Sequence, residues 1–209
     1  MTALAGSTVS DVSGSISTSY CAKLFADYGA TVINLEPSRG FKTRAEPPFT
    51  QTGGDGENSA LHAYLSTNKQ SVVLDKLTSA QLSTLLQQAD LVLDDTNPII
   101  DPPASLSRMT ICWYGTTGPM ADFTGTDAQM YAMNGMLRLI GEPNAAPYIP
   151  TGYQAQMVAG ATAFIGAMGH ILSRELGNAE GPEQLETSIL ESVMCFTDVG
   201  AISAHNTGI

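Results

Sequence analysis

Positive charge is scarce in this chain. Nine Lys and Arg stand against 20 Asp and Glu in 209 residues, a formal net charge of −11. A surface of that sign repels phosphate backbones, so no nucleic-acid partner is expected. Cysteine is scarce too. Cys21, Cys112 and Cys195 are odd in number and far apart, with no CxxC pair. That excludes a disulfide framework and a zinc ribbon, and it reads as buried thiols in a reducing, cytoplasmic chain without a metal. Long apolar runs are lacking: the stretch from Met157 to Leu172 is rich in Gly and Ala and falls short of the roughly 20 residues of a membrane span, so no membrane partner is expected. No basic-then-apolar leader opens the sequence, which reads as the absence of a signal peptide. Charged residues at only 14%, with 20 glycines, exclude a solvated coiled coil, and an apolar fraction of 43% excludes global disorder. A chain of this length can bury roughly 70% of its unfolded surface.

What is present is an alternation of short β-like runs and amphipathic stretches. Thr8 to Val12, Thr31 to Leu35, Ser71 to Leu74, Leu91 to Leu93 and Met109 to Trp113 read as strands. Between them Thr18 to Tyr28, Glu57 to Tyr64 and Thr78 to Gln88 read as helices, the first stopped by Gly29. Strands separated by such helices imply βαβ units and a parallel sheet. Right-handed crossovers then give an α/β, Rossmann-like open sheet with helices on both faces. The dinucleotide fingerprint is missing: Ser13-Gly14-Ser15-Ile16-Ser17 offers one glycine, which takes support from a nicotinamide or flavin cofactor.

From residue 126 the character changes, so residues 1–125 read as the Rossmann-like core and 126–209 as a helical second half. Asp127 to Leu139 reads as a helix capped by Thr126 or Asp127. A connection with Pro143, Pro147 and Pro150 leads to a long helix from about Gln154 to Leu176. Gly160, Ala163, Gly166 and Ala167 on that helix would let another backbone approach closely. Leu185 to Thr187 reads as a last strand and Ile189 to Ala201 as a last helix.

The run from Tyr20 to Pro37 resembles the opening of the family III CoA-transferases, a group that includes carnitine and formyl-CoA transferases and α-methylacyl-CoA racemases. Further blocks follow in the family's order: Glu57 to Leu61, Leu65 to Lys69, Ser71 to Asp75, Ala89 to Leu93, Gly115 to Pro119 and Leu139 to Pro143. The resemblance covers nearly the whole chain, but only the N-terminal half of the longer family chain. It implies coenzyme A as carrier, acyl-CoA and a small carboxylic acid as partners, and a homo- or hetero-oligomer, since family members thread through each other as interlocked rings. The family nucleophile is an aspartate, whose carboxylate takes the acyl group as a mixed anhydride and then becomes a CoA thioester. The resemblance puts that position at Gln156, an uncharged amide. The racemase branch needs a histidine and the same aspartate to move a proton, and here Thr126 and Gln156 occupy those positions. The chain by itself is therefore expected not to catalyse either reaction.

Contacts to CoA are expected from Arg39, Lys42 and Arg44, three of the nine cations within six residues. Leu65, Asn68 and Lys69 match the segment that lines the adenine and pantetheine path in the family. The family's Asn-Phe pair after the fourth strand stands here as Asp95-Thr96, and Asp101-Pro102-Pro103 occupies the place of an expected arginine. Weak CoA binding follows from that resemblance. His62 reads as a surface or half-buried residue, His170 as interface or core, Trp113 as core, Cys21 as structural, and Asp127 as a cap of its own helix. Three readings stay open: an acyl-CoA transferase, a non-catalytic subunit or domain pairing with an active chain, and a racemase-like enzyme.

Overall fold

The computed structural model describes residues 2–50, 58–142, 144–178, 180–197 and 205–206. Six parallel strands form one sheet in the order β3-β2-β1-β4-β5-β6. They are β1 (Thr8–Asp11), β2 (Thr31–Glu36), β3 (Gln70–Val73), β4 (Leu91–Asp94), β5 (Arg108–Cys112) and β6 (Gln184–Ser188). The order is that of a Rossmann-type doubly wound sheet, in which the chain reverses direction between β1 and β4. The last strand of the helical second half thus joins the sheet, with Gln184 opposite Arg108 and Ser188 opposite Cys112.

Alternation along the strands assigns the two faces. Val9, Val32, Leu91, Leu93, Met109 and Ile111 point to one face and share a core with Cys21, Phe25, Ala155, Ala159, Ala163 and Ala167. That face is covered by α1 (Ile16–Asp27) and α5 (Gln154–Glu175). On the other face Leu35 and Val92 pack with Leu86 and, at the edge, Leu82 and Leu85, so α3 (Ser79–Gln87) covers it. Helices therefore lie on both faces. Over β5 and β6 that second face carries Arg108, Thr110, Gln184 and Glu186.

Local chemistry sets the helix ends. Ser15 caps α1 by accepting from the Thr18 N–H, and the helix begins at Ile16, two residues before the start the sequence pattern gave. Gly29 and Ala30 close it by donating back to Ala26 and Phe25, a Schellman turn. Thr78 and Gln81 form a reciprocal capping box on α3. α2 (Ala60–Leu65) starts from Ser59, and the expected start at Glu57 lies outside the described residues. α4 (Asp127–Met133) is capped by Thr126 and ends at Asn134. Gly135, at φ +83°, turns the chain into a 3-10 segment (Met136–Arg138) where the sequence pattern continued the helix. The last helix is likewise split, into α6 (Ile189–Ser192) and a 3-10 turn (Val193–Phe196).

α5 is longer than the apolar stretch marked in the sequence. At 22 residues, with an 18-residue window of mean hydropathy 1.3, it is long and apolar enough to cross a bilayer by length and composition only, where the sequence pattern gave a shorter stretch. In this fold it lies along α1 and the sheet, burying Ala155, Ala159, Gly160, Ala163, Ala167, His170 and Ile171. The approach is backbone to backbone at Gly160, where an added Cβ would stand 2.6 Å from the Ser17 carbonyl oxygen and 3.1 Å from the Cys21 nitrogen.

Candidate functional site

A crevice opens beyond the carboxyl ends of the strands where the winding reverses, the usual ligand position of such sheets. It holds about 280 Å³. Its walls are the Gly14–Ser17 turn, Lys42, Thr43 and Glu46, the Asp95–Asn97 segment, Ile111 to Trp113 at the end of β5, and Thr124, Gln156 and Ile189. Gln156 thus faces the cleft from the first turn of α5.

The carboxylate beside it is Asp127. Its Oδ1 accepts from the Ala155 N–H at 2.8 Å and the Gln156 N–H at 3.3 Å, and its Oδ2 accepts from Gln156 Nε2 at 2.7 Å. The Ala155 N–H is shared with the Tyr131 hydroxyl at 2.9 Å. Asp127 therefore caps α5, where it satisfies free N–H groups and complements the helix dipole. This corrects the expectation that it caps its own helix, which Thr126 does. The signal was hidden because the helix it serves begins far along the chain.

Three strands of the sheet end in shielded carboxylates. Asp11, closing β1, is fully buried. It accepts from the Ser13 and Gly14 N–H groups at 3.1 and 3.0 Å and from the Thr18 and Ser19 hydroxyls at 3.4 Å. The N–H groups that cradle a diphosphate in dinucleotide-binding sheets are spent here on the protein's own side chain. Burial raises the Asp11 pKa, with Lys69 pulling against it. Lys69 donates to the Ser19 carbonyl at 2.7 Å. Burial lowers its pKa to about 8, with Asp11 and Cys21 opposing, while burial drives the Cys21 thiol up.

Glu36, closing β2, occupies the place where a dinucleotide-binding sheet holds its ribose. Arg44 closes it off, with Nε 2.8 Å from Oε2 and Nη2 2.9 Å from Oε1. Asp94, closing β4, is paired with Arg108.

The residues expected to contact CoA are thus dispersed in their roles. Lys42 is exposed and lines the cleft. Arg39 is exposed nearby in sequence. Arg44 is engaged by Glu36. Leu65 is fully buried against Ile16 and Leu61. Asn68, at φ +63°, donates to Asp27 at 3.0 Å. Lys69 is the anchor described above. Asp95 and Thr96 do line the cleft. Trp113, read as core, is half-buried and lines it as well. Tyr153 was not marked by the sequence pattern. Its hydroxyl donates to Glu46 at 2.7 Å, which drives the tyrosine pKa to about 12, with burial adding to the shift.

The histidines stand apart from the cleft walls. His62 is half-buried between the Thr43 and Ser66 hydroxyls. His170 is buried between Glu183 and Ser107. Among the described residues no three His, Cys, Asp or Glu side chains gather as a metal-holding group. A second, polar groove of about 560 Å³ continues from Asp95–Asn97 over the β5–β6 face, between Arg108, Asp122 and Glu186.

Comparison with known proteins gives this architecture a lineage. The succinate–glutarate CoA-transferase of Agrobacterium fabrum is 32% identical over 165 residues, covering 69% of this chain and 40% of that one. A subunit of the succinyl-CoA:(R)-benzylsuccinate CoA-transferase of Thauera aromatica is 28% identical, over 71% of this chain and 40% of its own length. A CaiB/BaiF family protein from Brucella suis superposes over the whole chain with a TM-score of 0.84 at 22% identity, and 58% of that chain is covered. This chain thus spans about 40% of the length of these two relatives. The pattern of CoA-transferase family III matches residues 4–100 and 105–208, interrupted at the Asp101-Pro102-Pro103 segment. The chain belongs to CoA-transferase family III.

Proposed function

We propose that this chain is the CoA-seating half of an acyl-CoA:carboxylate CoA-transferase scaffold, and that alone it binds CoA without transferring an acyl group. CoA would enter the switch-point cleft, its phosphates met by the exposed cations Arg39 and Lys42. Arg44, Leu65, Asn68 and Lys69 are not among the lining residues of the cleft, and their part is to hold the elements around it. The observation that carries the reading is the hydrogen bonding of Asp127 beside Gln156.

Transfer requires a carboxylate oxygen to attack the thioester carbon. The C–S bond breaks, thiolate leaves and a mixed anhydride forms. The thiolate then returns to the anhydride, which leaves an enzyme-bound CoA thioester and frees the donor acid. The Gln156 amide is neutral and its nitrogen is conjugated, so it cannot begin this sequence. Asp127 has the charge but is 9% exposed and spends both oxygens on three donors. Those hydrogen bonds occupy its oxygens and hold it to the helix end. The racemase reading lacks support, because Thr126 is a helix cap and neither it nor Gln156 exchanges protons near neutral pH.

The experiment is intact-mass analysis of the purified chain after incubation with an acyl-CoA and a panel of carboxylic acids. No covalent adduct is expected, and an adduct on any carboxylate of this chain would defeat the reading. Gln156→Asp tests the remaining site: acquired transfer would mean that the rest of the cleft is competent.

A second reading is a non-catalytic subunit working with an active chain, as one of the relatives is itself a subunit. Exposed Ile165 and Leu172 on α5 and Leu176 at its C-cap fit association with another chain. Size-exclusion chromatography is expected to show a dimer or larger species.

A further inference from the structure

Resting on the reading that the cleft seats CoA, we infer that it selects thioesters whose acyl group is uncharged over those whose acyl group ends in a carboxylate. The charges around Gln156 are lopsided. Glu46 and Asp95 line the cleft, and Asp127 stands directly behind the Gln156 amide. Lys42 is the single Lys or Arg among the lining residues, and its field falls on Asp95.

The orientation of the Gln156 amide deepens the asymmetry. Its Nε2 spends one of its two N–H groups on Asp127 at 2.7 Å, so one donor fewer is left for a ligand beside the acceptor Oε1. A carboxylate arriving there would meet at most one N–H from the Gln156 amide, with the Asp127 carboxylate directly behind it. A further carboxylate brought among Glu46, Asp95 and Asp127 is repelled by them, which penalises such ligands. Ile16, Ile111, Trp113 and Ile189 give the cleft apolar surface as well. That surface rewards an alkyl chain at about 25 cal/mol per Å² buried. Asp127 is then a positioning residue that fixes the amide, while Gln156 is the group the acyl end meets.

Butyryl-CoA and succinyl-CoA have four-carbon acyl chains and differ by the terminal carboxylate. Their binding to the full chain can be followed through Trp113, the one tryptophan of the sequence and a wall of the cleft, with calorimetry as a second readout. At low ionic strength succinyl-CoA is expected to bind about tenfold more weakly. The gap should narrow in Asp95→Asn and in salt, since partly exposed charges are screened. Equal or tighter binding of succinyl-CoA would overturn the inference and leave the CoA reading standing. A gap that persists unchanged in salt and in Asp95→Asn would also overturn it, because its cause would not be charge. If neither thioester nor free CoA binds, the CoA reading itself falls and takes the inference with it.

Discussion

Glu36 and Asp94 make an instructive pair. Each is the last residue of a parallel strand, each is nearly sealed from water, at 2% and 0% side-chain exposure, and each meets an arginine that is 24% exposed. Their acidities nonetheless move in opposite directions. Burial pushes Glu36 up, but Arg44, the Ser71 hydroxyl and the Phe41 N–H together pull it down to about 2. Each of its oxygens takes two donors: Phe41 and Arg44 on Oε2, Arg44 and Ser71 on Oε1. Burial also pushes Asp94 up, and there Thr110 and Arg108 recover only part of the loss, leaving it at about 6. Arg108 divides its charge with Asp101, 3.2 Å from Nη1. The number of donors aimed at the carboxylate, rather than the presence of an arginine, decides whether a shielded acid stays ionised.

The largest way to break the contrast is Arg44→Met. It strips the guanidinium from Glu36 and leaves a shielded carboxylate short of donors, so a loss of about 3 kcal/mol is expected in urea unfolding at pH 7. The Glu36 titration midpoint should rise from about 2.

The next effect lies in pH. Glu36 has a folded pKa below its ordinary value of 4.5, so its stabilisation is present above pH 4.5 and fades as pH falls toward 2. Asp94 has the opposite sign. Its folded value of about 6 exceeds the ordinary 3.8, so its contribution is complete below pH 3.8 and is lost as pH rises through 6. Asp94→Asn should therefore remove a pH dependence on the order of 3 kcal/mol between those limits. Urea midpoints from pH 4 to 7 measure it, and a slope as steep as in the parent chain would assign the effect to another group. The smallest change is Ser71→Ala, which removes one donor from Glu36 Oε1 at a cost of about 1 kcal/mol. NMR titration should then show the Glu36 midpoint rising less than in Arg44→Met.

Much of the sheet was legible because strands carry a local signal. Val9, Val32, Leu91 and Met109 sit in β-branched or apolar runs between turn residues, and the Rossmann-like order followed from the alternation with helices. Helix ends were less legible. The apolar pattern runs on past Asn134, and only the backbone at Gly135 shows where α4 stops. Gln156 was legible as a cleft residue through the resemblance, whereas the true use of Asp127 was not, since it depends on which helix start the fold brings beside it. Cations behaved similarly. Arg39, Lys42 and Arg44 look alike in a string, yet Arg44 is claimed by a carboxylate eight residues upstream while Lys42 stays in the cleft. Spacing marks which charges are close in sequence but not which are already neutralised.

The contact at Gly160 carries a mechanical consequence. Because main chain touches main chain there, the separation of α1 from α5 is set by a hard stop, with no rotamer to give way. Gln156 lies one turn before that stop on the same rigid rod, and the Gly14–Ser17 rim lies at the head of the other. The aperture of the crevice is therefore gauged by the smallest residue on the rod. A single methyl placed at residue 160 would act as a spacer, prising the mouth apart from a point that no ligand touches.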